Sequence, residues 1–456
     1  MPLTTFIKME GSFTKVCKGG GRQCDVTVTK STLKCVLKNS IAPNIQVEVN
    51  LSDILAIQTG PRENSNVSSV IIHYAGRKKD KLLTWEKLVL AAEPGLCTEL
   101  KDSFSLACPD RDRPRHFLVI VNPHSGTKTG SRIFHKKVAP LFKACGITFK
   151  VYETTRPNDA RTAFQDVDLS TVQGVIAVGG DGFYSEVATA LVLKQQQLHQ
   201  VNTDDPNCGL VPVNVPVGVI PCGSGNYLAM YLHGIIDPIT AAIKIVLGKT
   251  TATNLASIHI GGKLVRYAGL ISCFGLIGNM MAMCERHRWM GNVRYKVFPL
   301  KGILTRKLVE AEVSYLKENG EWQVYNGPLY SVDLNVVNLA DKNNKLVPVF
   351  GDSALTIHIA SVCPLGEHIK QLSKVADWTT GAYDFNFLTN ERVLRYKVSL
   401  TSLPTLRLET GEERLVDKLY MNLDGEALLI DRTSFDVSLQ AGLIELFGDH
   451  PSSSAH

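Results

Sequence analysis

Three glycine-bearing turns constrain the fold more than any other feature of this 456-residue chain. Each turn follows a short apolar run, and helical stretches begin at about Ser131 and Phe183 between the runs. The turns are NPHSG at 122–126, GGDG at 179–182 and PCGSGN at 221–226. Strands that alternate with helices predict a parallel sheet with crossover connections, and the turns then lie at the carboxyl ends of its strands.

The same turns predict a nucleotide site. Glycine lets a phosphate approach backbone N–H groups, and a helix that begins there presents the positive end of its dipole. One such turn is weak evidence, whereas three on one sheet edge form a polyphosphate cradle. The pattern is not a Walker A loop, because Ile243 stands where the motif ending at Gly248-Lys249-Thr250 requires glycine. No protein-kinase HRD loop occurs, and no GxGxxG follows the first strand of the α/β region.

The order of patterns along the chain predicts a multidomain α/β plus β protein. Residues 1–108 predict an all-β module closed by a short helix, and the charged, proline-containing segment 109–115 predicts a linker. Residues 116–252 predict the α/β domain with its parallel sheet, 253–448 a second β-rich domain, and 449–456 a disordered tail. In the second domain the patterns predict one strand at 264–271 and separate strands at 322–324 and 330–338.

Composition narrows the class and the compartment. The chain is 44% hydrophobic and 20% charged, which excludes a disordered or fibrous protein. Its net charge of +6 is too weak to indicate nucleic-acid binding and fits an anionic substrate or a membrane surface. The basic turn Arg77-Lys78-Lys79 is a candidate for anionic headgroups, with solvated turn charges as the alternative.

Cysteines and apolar stretches favour a cytoplasmic chain. The eleven cysteines are scattered and form no CxxC pair, so a reducing cytosol explains them better than a zinc site. The N-terminus lacks the apolar run of a secretory signal. Prolines and glycines interrupt the uncharged stretches at 206–236 and 267–284, which we interpret as buried strands and turns.

Carboxylates in two of the turns are candidates for catalysis. Asp181, flanked by three glycines, is the best candidate general base for an attacking hydroxyl, or else an indirect magnesium ligand. Glu186 lies in the first turns of the following helix, where it can complement the dipole. Asp424 and Glu426, in the turn NLDGE at 422–426, suit a hydrated Mg²⁺, although an ordinary hairpin turn has the same pattern.

Cationic and flexible apolar residues share one segment of the second domain. Arg288 and Arg294 follow a largely apolar helix, and arginine clamps phosphate with two donors, whereas a solvated helix end is the plain alternative. The methionines at 280, 281 and 283 suit an acyl chain, but core packing explains them equally well.

Five motifs together carry a resemblance. They are NPHSG at 122–126, GGDGFYSEV at 179–187, PCGSGN at 221–226, ERHRWMGNVRY at 285–295 and LDGE at 423–426. In order and approximate spacing they resemble the diacylglycerol-kinase-type lipid kinases, specifically the ceramide kinase and sphingosine kinase branch. The ceramide kinase subgroup is the most similar, and the likeness runs from about residue 113 to the end.

The resemblance implies ATP-dependent phosphorylation, with Mg²⁺, of a primary hydroxyl on a sphingolipid, ceramide first. It implies an N-terminal pleckstrin-homology-like module, an α/β nucleotide domain and a β-sandwich lipid domain, with the active site in the cleft between the last two. The expected partners are the sphingolipid and, by peripheral contact, intracellular or plasma membranes. Nucleic acid is not expected.

Carried over residue by residue, the resemblance also implies roles. Asp181 would be the general base, Glu186 would support the nucleotide loop, and Asp424 with Glu426 would organise the metal. Nucleotide phosphates would contact Asn122, Ser125, Gly126, Gly180, Gly182, Gly223, Ser224, Arg288 and Arg294. The lipid would contact Asn279, Met280 and Met283.

Three departures keep alternatives open, and the first is that the PCGSGN turn is closer to the sphingosine and diacylglycerol kinase form than to the ceramide kinase form. Asn279 stands where this branch usually places an acid, and the cysteines at 273, 284 and 363 do not form the CxxxCxxC cluster of ceramide kinases. The alternatives are a sphingosine or diacylglycerol kinase, and a catalytically weak ceramide-kinase-like protein that binds lipid. A soluble NAD kinase is a distant third.

Overall fold

The computed structural model describes residues 9–17, 20–29, 31–37, 46–61, 67–107, 113–126, 128–343, 345–401, 405–407, 413–415 and 418–448. They form an N-terminal β unit, an α/β unit from 113 and a C-terminal β unit from 250. The expected tail at 449–456 and most of the expected linker lie outside the described residues. The expectation of a mixed α/β chain with extensive β-sheet is confirmed.

The N-terminal β unit is one antiparallel sheet with a helix against it. Its elements are β1 (Met9–Cys17), β2 (Gly20–Val28), β3 (Thr32–Leu37), β4 (Gln46–Asn50), β5 (Ile54–Pro61), β6 (Ser68–Arg77), β7 (Leu83–Ala92) and α1 (Pro94–Ala107). The strands pair in the order β4-β3-β2-β1-β7-β6-β5. Alternate residues of β3 and β6 and of the second half of β2 point inward. Cys97, Leu100 and Phe104 lie three or four apart on the face of α1 that covers them. The pleckstrin-homology-like assignment stays a prediction.

The basic turn of this unit is partly neutralised. A guanidinium nitrogen of Arg77 lies 2.6 Å from Asp53, and the ammonium of Lys78 lies 3.5 Å from Glu86. Two of the three charges of the turn therefore have acidic neighbours within their own unit, and the headgroup role stays a prediction.

The α/β unit is a parallel sheet with helices on both faces. Its elements are β8 (His116–Val121), α2 (Gly130–Ile133), a π-helical turn (Phe134–Val138), α3 (Ala139–Ala144), β9 (Thr148–Glu153), α4 (Ala160–Ala163), β10 (Gly174–Gly179), α5 (Asp181–Leu198), β11 (Val217–Pro221), α6 (Tyr227–His233) and α7 (Pro238–Leu247). The strand order is β9-β8-β10-β11. Because β9 and β10 lie on opposite sides of β8, the connections diverge between β8 and β10, which is where such sheets bind ligands.

The strands of this sheet read as continuous apolar runs because both faces are covered. Leu118, Ala177 and Val219 face the side of α5, whereas Val119, Val178 and Ile220 face the side of α3 and α7. The alternation of neighbouring residues between two cores fixes the register of each strand. The turns that follow β8, β10 and β11 therefore emerge on the same edge.

The C-terminal β unit holds most of the remaining strands. Its elements are β12 (Thr250–Ile260), β13 (Lys263–Ala268), β14 (Ile271–Gly275), α8 (Leu276–Arg286), a 3₁₀ segment (Arg288–Val293), α9 (Arg294–Leu304), β15 (Val309–Lys317), β16 (Trp322–Asn335), β17 (Asn338–Lys342), β18 (Lys345–Val349), β19 (Leu355–Ser361), α10 (Leu365–Ala376), β20 (Leu388–Leu400), β21 (Thr405–Arg407), β22 (Glu413–Leu415), β23 (Leu419–Leu423), β24 (Glu426–Ile430) and β25 (Ser434–Phe447).

Its strands curve around one apolar core. β15 pairs with β16 and β20, and β19 pairs with the same two strands, so the four close into a ring. The two strands expected at 322–324 and 330–338 are one strand, β16, whereas the single strand expected at 264–271 is two, β13 and β14. The β-sandwich assignment stays a prediction.

One strand joins the two larger units. β25 pairs antiparallel with β12 and β20, and at its end Leu446 pairs in parallel with Val217 of β11. The parallel sheet and the strands of the C-terminal unit are thus one continuous hydrogen-bonded sheet. This connection fixes the hairpin between β23 and β24 relative to the turns of the α/β unit.

The N-terminal unit packs on the α/β unit and contributes to its core. Leu55, Ala75 and Leu83 belong to the same buried cluster as Ala241 and Ile245 of α7. Two hydrogen bonds between the hydroxyl of Thr240 and the backbone of Leu83 add to this contact. The N-terminal unit therefore shares a core with the unit that carries the turns.

No individual helix in the described part of the chain is both long and apolar enough to cross a membrane. Only α6 and α7 taken together, with a bend of 53° between them, have the required length and composition.

Candidate functional site

The three glycine turns touch one another. A Cβ placed on Gly223 would lie 2.4 Å from the Cα of Gly180, and one placed on Gly126 would lie 2.3 Å from the carbonyl oxygen of Cys222. The Oγ of Ser125 lies 3.8 Å from the corresponding position at Gly180. Side chains at these glycines would clash with backbone, so the backbones themselves form the surface of the cradle.

Side-chain amides hold two of the turns in shape. The Oδ1 of Asn226 accepts from the N–H of Gly223 at 2.7 Å, and its Nδ2 donates to the carbonyl of the same residue at 2.8 Å. The Oδ1 of Asn122 accepts from the N–H of His124 at 2.9 Å. Ser224 remains exposed at the tip of its turn. The cradle is thus already formed in the protein alone, which favours binding without reorganisation.

Asp181 begins α5 and contacts a second helix. Its Oδ2 accepts from the N–H of Tyr227 and its Oδ1 from the N–H of Leu228, both at 3.0 Å, so it caps α6. Burial raises the pKa of Asp181 from 3.8 to about 6, and the charge of Asp424 raises it further against the effect of the amides. The carboxyl group is therefore a stronger base than an ordinary aspartate and is still mostly ionised at neutral pH.

Asp424 lies at the hairpin between β23 and β24 and is buried. Its two oxygens accept hydrogen bonds from the amides of Gly269, Leu270 and Ile271, at 2.7 to 2.9 Å, and from the hydroxyl of Ser185. Burial raises the pKa of Asp424, while these donors favour its ionised form. Its four donors come from both larger units, so this carboxylate joins α5 to the turn between β13 and β14.

Glu426 faces the cleft. Its side chain lies over Gly182, where a Cβ would be 2.7 Å from the Cγ of Glu426. Arg266 donates to Glu426 and, at 2.7 Å, to the Oδ1 of Asn158. Asn158, Glu186, Arg266 and Glu426 line a cavity of about 500 Å³.

Glu186 supports the wall of this cavity. Its Oε1 accepts from the N–H of Ala160 at the start of α4, at 2.9 Å. Burial raises the pKa of Glu186, the Ala160 amide opposes that shift and the charge of Glu426 adds to it. Glu186 therefore braces α4 from within α5, and its role in supporting the nucleotide loop stays a prediction.

The end of α8 brings a further carboxylate, Glu285, close to Glu426. Glu285 accepts from the N–H of Ala427 at 3.2 Å, which ties α8 to β24. Burial raises the pKa of Glu285, the Ala427 amide opposes the shift, and the charge of Glu426 raises it again. Arg288, whose side chain is exposed, lies close enough to Glu285 to lower the same pKa.

Arg294 is mostly buried at the start of α9. It donates to the carbonyl of Arg288 at 3.1 Å and to the hydroxyl of Tyr295 at 2.9 Å. Its buried Nε has no hydrogen-bond partner among the described residues. The phenol of Tyr295 in turn influences the pKa of Tyr227, whose amide donates to Asp181. Arg294 therefore ties the start of α9 to the 3₁₀ segment.

The expected lipid contacts lie on α8. The Oδ1 of Asn279 accepts from the N–H of Tyr420 at 3.0 Å, so this side chain anchors β23. Met280 is buried and Met283 is partly buried in a satellite apolar cluster with Leu276, Ile303 and Tyr330. The cluster is separate from the main core of the C-terminal unit, which suits a group that must enter and leave.

The structure brings together Asp181, Glu186, Glu426 and the three glycine turns. Asp424 is two residues from Glu426, but both of its carboxylate oxygens already accept hydrogen bonds from protein donors. Within the part of the chain that the structure describes, no group of three or more His, Cys, Asp and Glu side chains has metal-site geometry. Glu426 alone of the LDGE pair fits a hydrated Mg²⁺, which is commonly held by one or two carboxylates together with substrate phosphates.

Sequence reasoning missed Asn226, Ser185, Arg266 and Glu285 as parts of this site. For Arg266 a signal exists, because it is the single charged residue between Lys263 and Glu285. A lone charge within an apolar stretch is usually paired when it is buried. No local pattern identifies Ser185, since its partner Asp424 is 239 residues away.

Comparison with known proteins agrees with this geometry. Residues 116–258, which carry all three glycine turns and Asp181, match the family model of the diacylglycerol kinase catalytic domain. This part of the chain therefore resembles the catalytic domain of a lipid kinase family. Ceramide kinases and a sphingosine kinase are among the proteins to which it is similar.

The relatives differ in how much of the chain they match. Ceramide kinase of Homo sapiens is 35% identical over 204 residues, which are 45% of this chain and 38% of that protein. The matched part of the chain thus spans well under half the length of this relative. Sphingosine kinase 1 of Arabidopsis thaliana is 24% identical, over 75% of this chain and 74% of that protein. The ceramide kinase-like protein of Homo sapiens is 26% identical, over 74% of this chain and 69% of that protein.

A solved structure from Bacillus anthracis str. Sterne, described as a diacylglycerol kinase, has a similar fold. The TM-score is 0.53 at 17% identity, and the match covers 75% of this chain and 97% of that one. At this identity the likeness concerns the fold alone.

Proposed function

We propose that the chain is an ATP-dependent lipid kinase that transfers the γ-phosphate to the primary hydroxyl of a sphingolipid, with ceramide as the first candidate. The observation that carries this proposal is the contact of three glycine turns beside a buried aspartate whose pKa is raised to about 6. Phosphoryl transfer requires mainly positioning and charge stabilisation, and this arrangement supplies both beside a base.

The proposed reaction runs as an in-line displacement. The lipid hydroxyl oxygen forms a bond to the γ-phosphorus while the bond from that phosphorus to the β,γ-bridging oxygen breaks, and ADP leaves. Asp181 accepts the hydroxyl proton. The backbone amides of the turns around Gly126, Gly180 and Gly223 hold the phosphates, and Arg288 and Arg294 neutralise the charge that develops on the transferred group.

Metal binding in this proposal falls mainly to one carboxylate. Glu426 lies over Gly182 beside the phosphate turns and would hold Mg²⁺ together with nucleotide phosphates and water. When bound there, Mg²⁺ would supply neutralisation of the phosphate charge. Glu426 must then exchange its contact with Arg266 for the ion. Asp424 contributes by holding the hairpin that presents Glu426.

The proposed lipid contacts lie on α8. Met280 and Met283 would contact the acyl chains, and Asn279 would lie near the lipid amide. An uncharged amide at Asn279 favours a neutral sphingolipid over a charged sphingoid base, because no carboxylate there pairs with an ammonium. We further propose that the N-terminal unit is pleckstrin-homology-like and that the protein is cytoplasmic and contacts membranes peripherally.

The test is phosphate transfer from labelled Mg-ATP to ceramide, sphingosine, diacylglycerol and NAD in mixed micelles. We expect ceramide to be labelled and the Asp181→Asn variant to lose at least a hundredfold in kcat, since a positioned base contributes about 10²–10⁴-fold. Asp166→Asn, an exposed aspartate of the same unit, is the matched control.

Two outcomes would reject the proposal in different ways. Labelling of sphingosine or diacylglycerol instead of ceramide would keep the kinase and change its substrate. No labelling by a folded protein that still binds ceramide vesicles would favour the alternative of a lipid-binding protein without turnover. The protein donors that occupy Asp424 and the contact of Arg266 with Glu426 are the observations that support this alternative.

A further inference from the structure

The segment from 286 to 309 combines cations with exposed apolar side chains. It contains no aspartate or glutamate, and its basic residues are Arg286, Arg288, Arg294, Lys296, Lys301, Arg306 and Lys307. The structure places this segment on the outside of the C-terminal unit as the end of α8, the 3₁₀ segment, α9 and the chain leading to β15. A run of one charge sign with large apolar residues is unusual for a purely solvated surface.

The exposed apolar residues form a stripe, the α9 surface, which consists of Trp289, Val293, Val297, Leu300, Leu304 and Leu308. Steps of four, three and four residues from 293 to 304 put these side chains on one helix face. Trp289 is 81% exposed, and Leu300 and Leu304 are each 59% exposed.

The folding of α9 does not account for this stripe. Phe298 and Ile303, on the other side of the helix, are buried. Gly302 lets α9 approach α8 closely, because a Cβ there would lie 2.5 Å from the Cγ of Met280. The helix has therefore already buried one apolar face, and the α9 surface is a second one.

Cations flank the stripe on the same helix. Lys296 and Lys301 are exposed on α9, and Arg288 is exposed beside Trp289. Two other cations have protein partners, since Arg286 donates to the hydroxyl of Tyr420 and Arg306 to Cys363 and His368. The neighbouring α10 adds exposed Leu365 and Ile369 with one acid, Glu367, and Val362 is exposed just before this helix.

We infer that the α9 surface docks the protein on an anionic lipid bilayer, with its aliphatic side chains and Trp289 in the interface and Lys296 and Lys301 at the headgroups. An interfacial helix has this distribution of an apolar face and basic flanks. Charge complementarity favours a bilayer over a second copy, because a symmetric pairing of this face would bring like charges together. The α9 surface lies over the cluster that contains Met280, so docking places that cluster next to the membrane. The docking stands without the proposed function, and only its use for substrate capture rests on it.

The experiment measures flotation of the full chain with vesicles, without nucleotide, so that its outcome is independent of phosphate transfer. The vesicles are phosphatidylcholine alone or with 30% phosphatidylserine. We expect binding to the anionic vesicles, a loss of at least tenfold in the partition coefficient for Leu300→Ser with Leu304→Ser, and about fivefold per lysine for Lys296→Gln and Lys301→Gln. Leu198→Ser, 58% exposed on α5, and Lys136→Gln with Lys137→Gln are the matched controls.

A second readout uses Trp289. Its fluorescence should shift to the blue when anionic vesicles are added, and Trp289→Phe should remove that shift. Binding that is unchanged in both α9 variants, or reduced equally in the Leu198 control, would overturn the inference. So would a wild-type dimer in analytical ultracentrifugation that the leucine variant disperses, because that result would assign the surface to a second copy. Circular dichroism melting confirms that each variant is folded.

Discussion

The carboxylate of Asp181 has one structural role and one proposed catalytic role. It caps α6 through two backbone amides, and in the proposed reaction it also receives the proton of the lipid hydroxyl. Each carboxylate oxygen has two acceptor directions, so an amide on each leaves room for the hydroxyl. The amides fix the position of the base, and burial rather than hydrogen bonding determines the direction of its pKa shift.

The raised pKa gives a test through the pH dependence of the reaction. Asp181 accepts a proton only when it is ionised, and its pKa is about 6 rather than 3.8. We therefore expect kcat/KM for the lipid to rise about tenfold per pH unit below pH 6 and to level off above it. The measurement is initial rate from pH 5 to 8 with saturating Mg-ATP. An acidic limb near pH 4, or the same limb in Asp181→Asn, would assign the titration to another group.

Asp424 allows a prediction about stability. Asp424→Asn replaces one acceptor oxygen with an N–H₂ group that faces backbone donors, so buried amides lose their partner. We expect a loss of about 2–4 kcal/mol in the free energy of unfolding, measured by urea denaturation. The exposed Asp431→Asn, a few residues further on, should change stability by less than about 0.5 kcal/mol. Unchanged stability together with a higher Mg²⁺ requirement would instead support the direct metal role.

At the scale of elements, the cradle depends on contacts between turns rather than on any one turn. The turn after β11 lies against the turns after β8 and β10 through Gly126, Gly180 and Gly223. Any side chain at these contacts separates backbones whose amides must face the same anion.

We expect Gly223→Ala to weaken ATP binding at least tenfold, because its Cβ would lie 2.4 Å from the Cα of Gly180 and one turn must move. Isothermal titration with a non-hydrolysable ATP analogue measures this loss. Gly209→Ala is the control, since a Cβ there has no heavy atom within 4 Å. Equal affinities for the two variants would show that the turns do not bind the phosphates together.

At the scale of the whole molecule, one hydrophobic core contains residues of both the N-terminal unit and the α/β unit. Leu55 of the N-terminal unit lies in the cluster that includes α7, whereas Leu33 lies in the core of its own unit. The N-terminal unit is thus part of the support of the parallel sheet. β25 extends that support by pairing with strands of both larger units.

Two leucine-to-alanine substitutions, one in the shared core and one in the core of the N-terminal unit alone, test whether the N-terminal unit supports the α/β unit. Leu55→Ala should destabilise the protein by about 2–5 kcal/mol and speed amide exchange in α7. Leu33→Ala removes the same volume but should speed exchange in β2 and β3 and leave α7 unchanged. Hydrogen exchange followed by mass spectrometry distinguishes these regions. Equal protection of α7 in both variants would contradict a shared core.

The sequence by itself determined the parts that depend on neighbours along the chain. Continuous apolar runs followed by glycine turns predicted β8, β10 and β11 and the edge on which a nucleotide would bind, because strand burial and turn geometry are local properties. Asp181 was identified for the same reason, since glycines surround it within one turn.

Only the tertiary structure decided which groups meet across the chain. The Asp424 carboxylate collects the amides of 269 to 271, which breaks the strand expected at 264–271 into β13 and β14 and turns a suspected metal ligand into a link between units. The contact of Arg266 with Glu426 and the pairing of β25 with β11 join residues more than 150 positions apart. Such contacts follow from the packing of whole elements, whose free energy is distributed over many residues and leaves no pattern within any one segment.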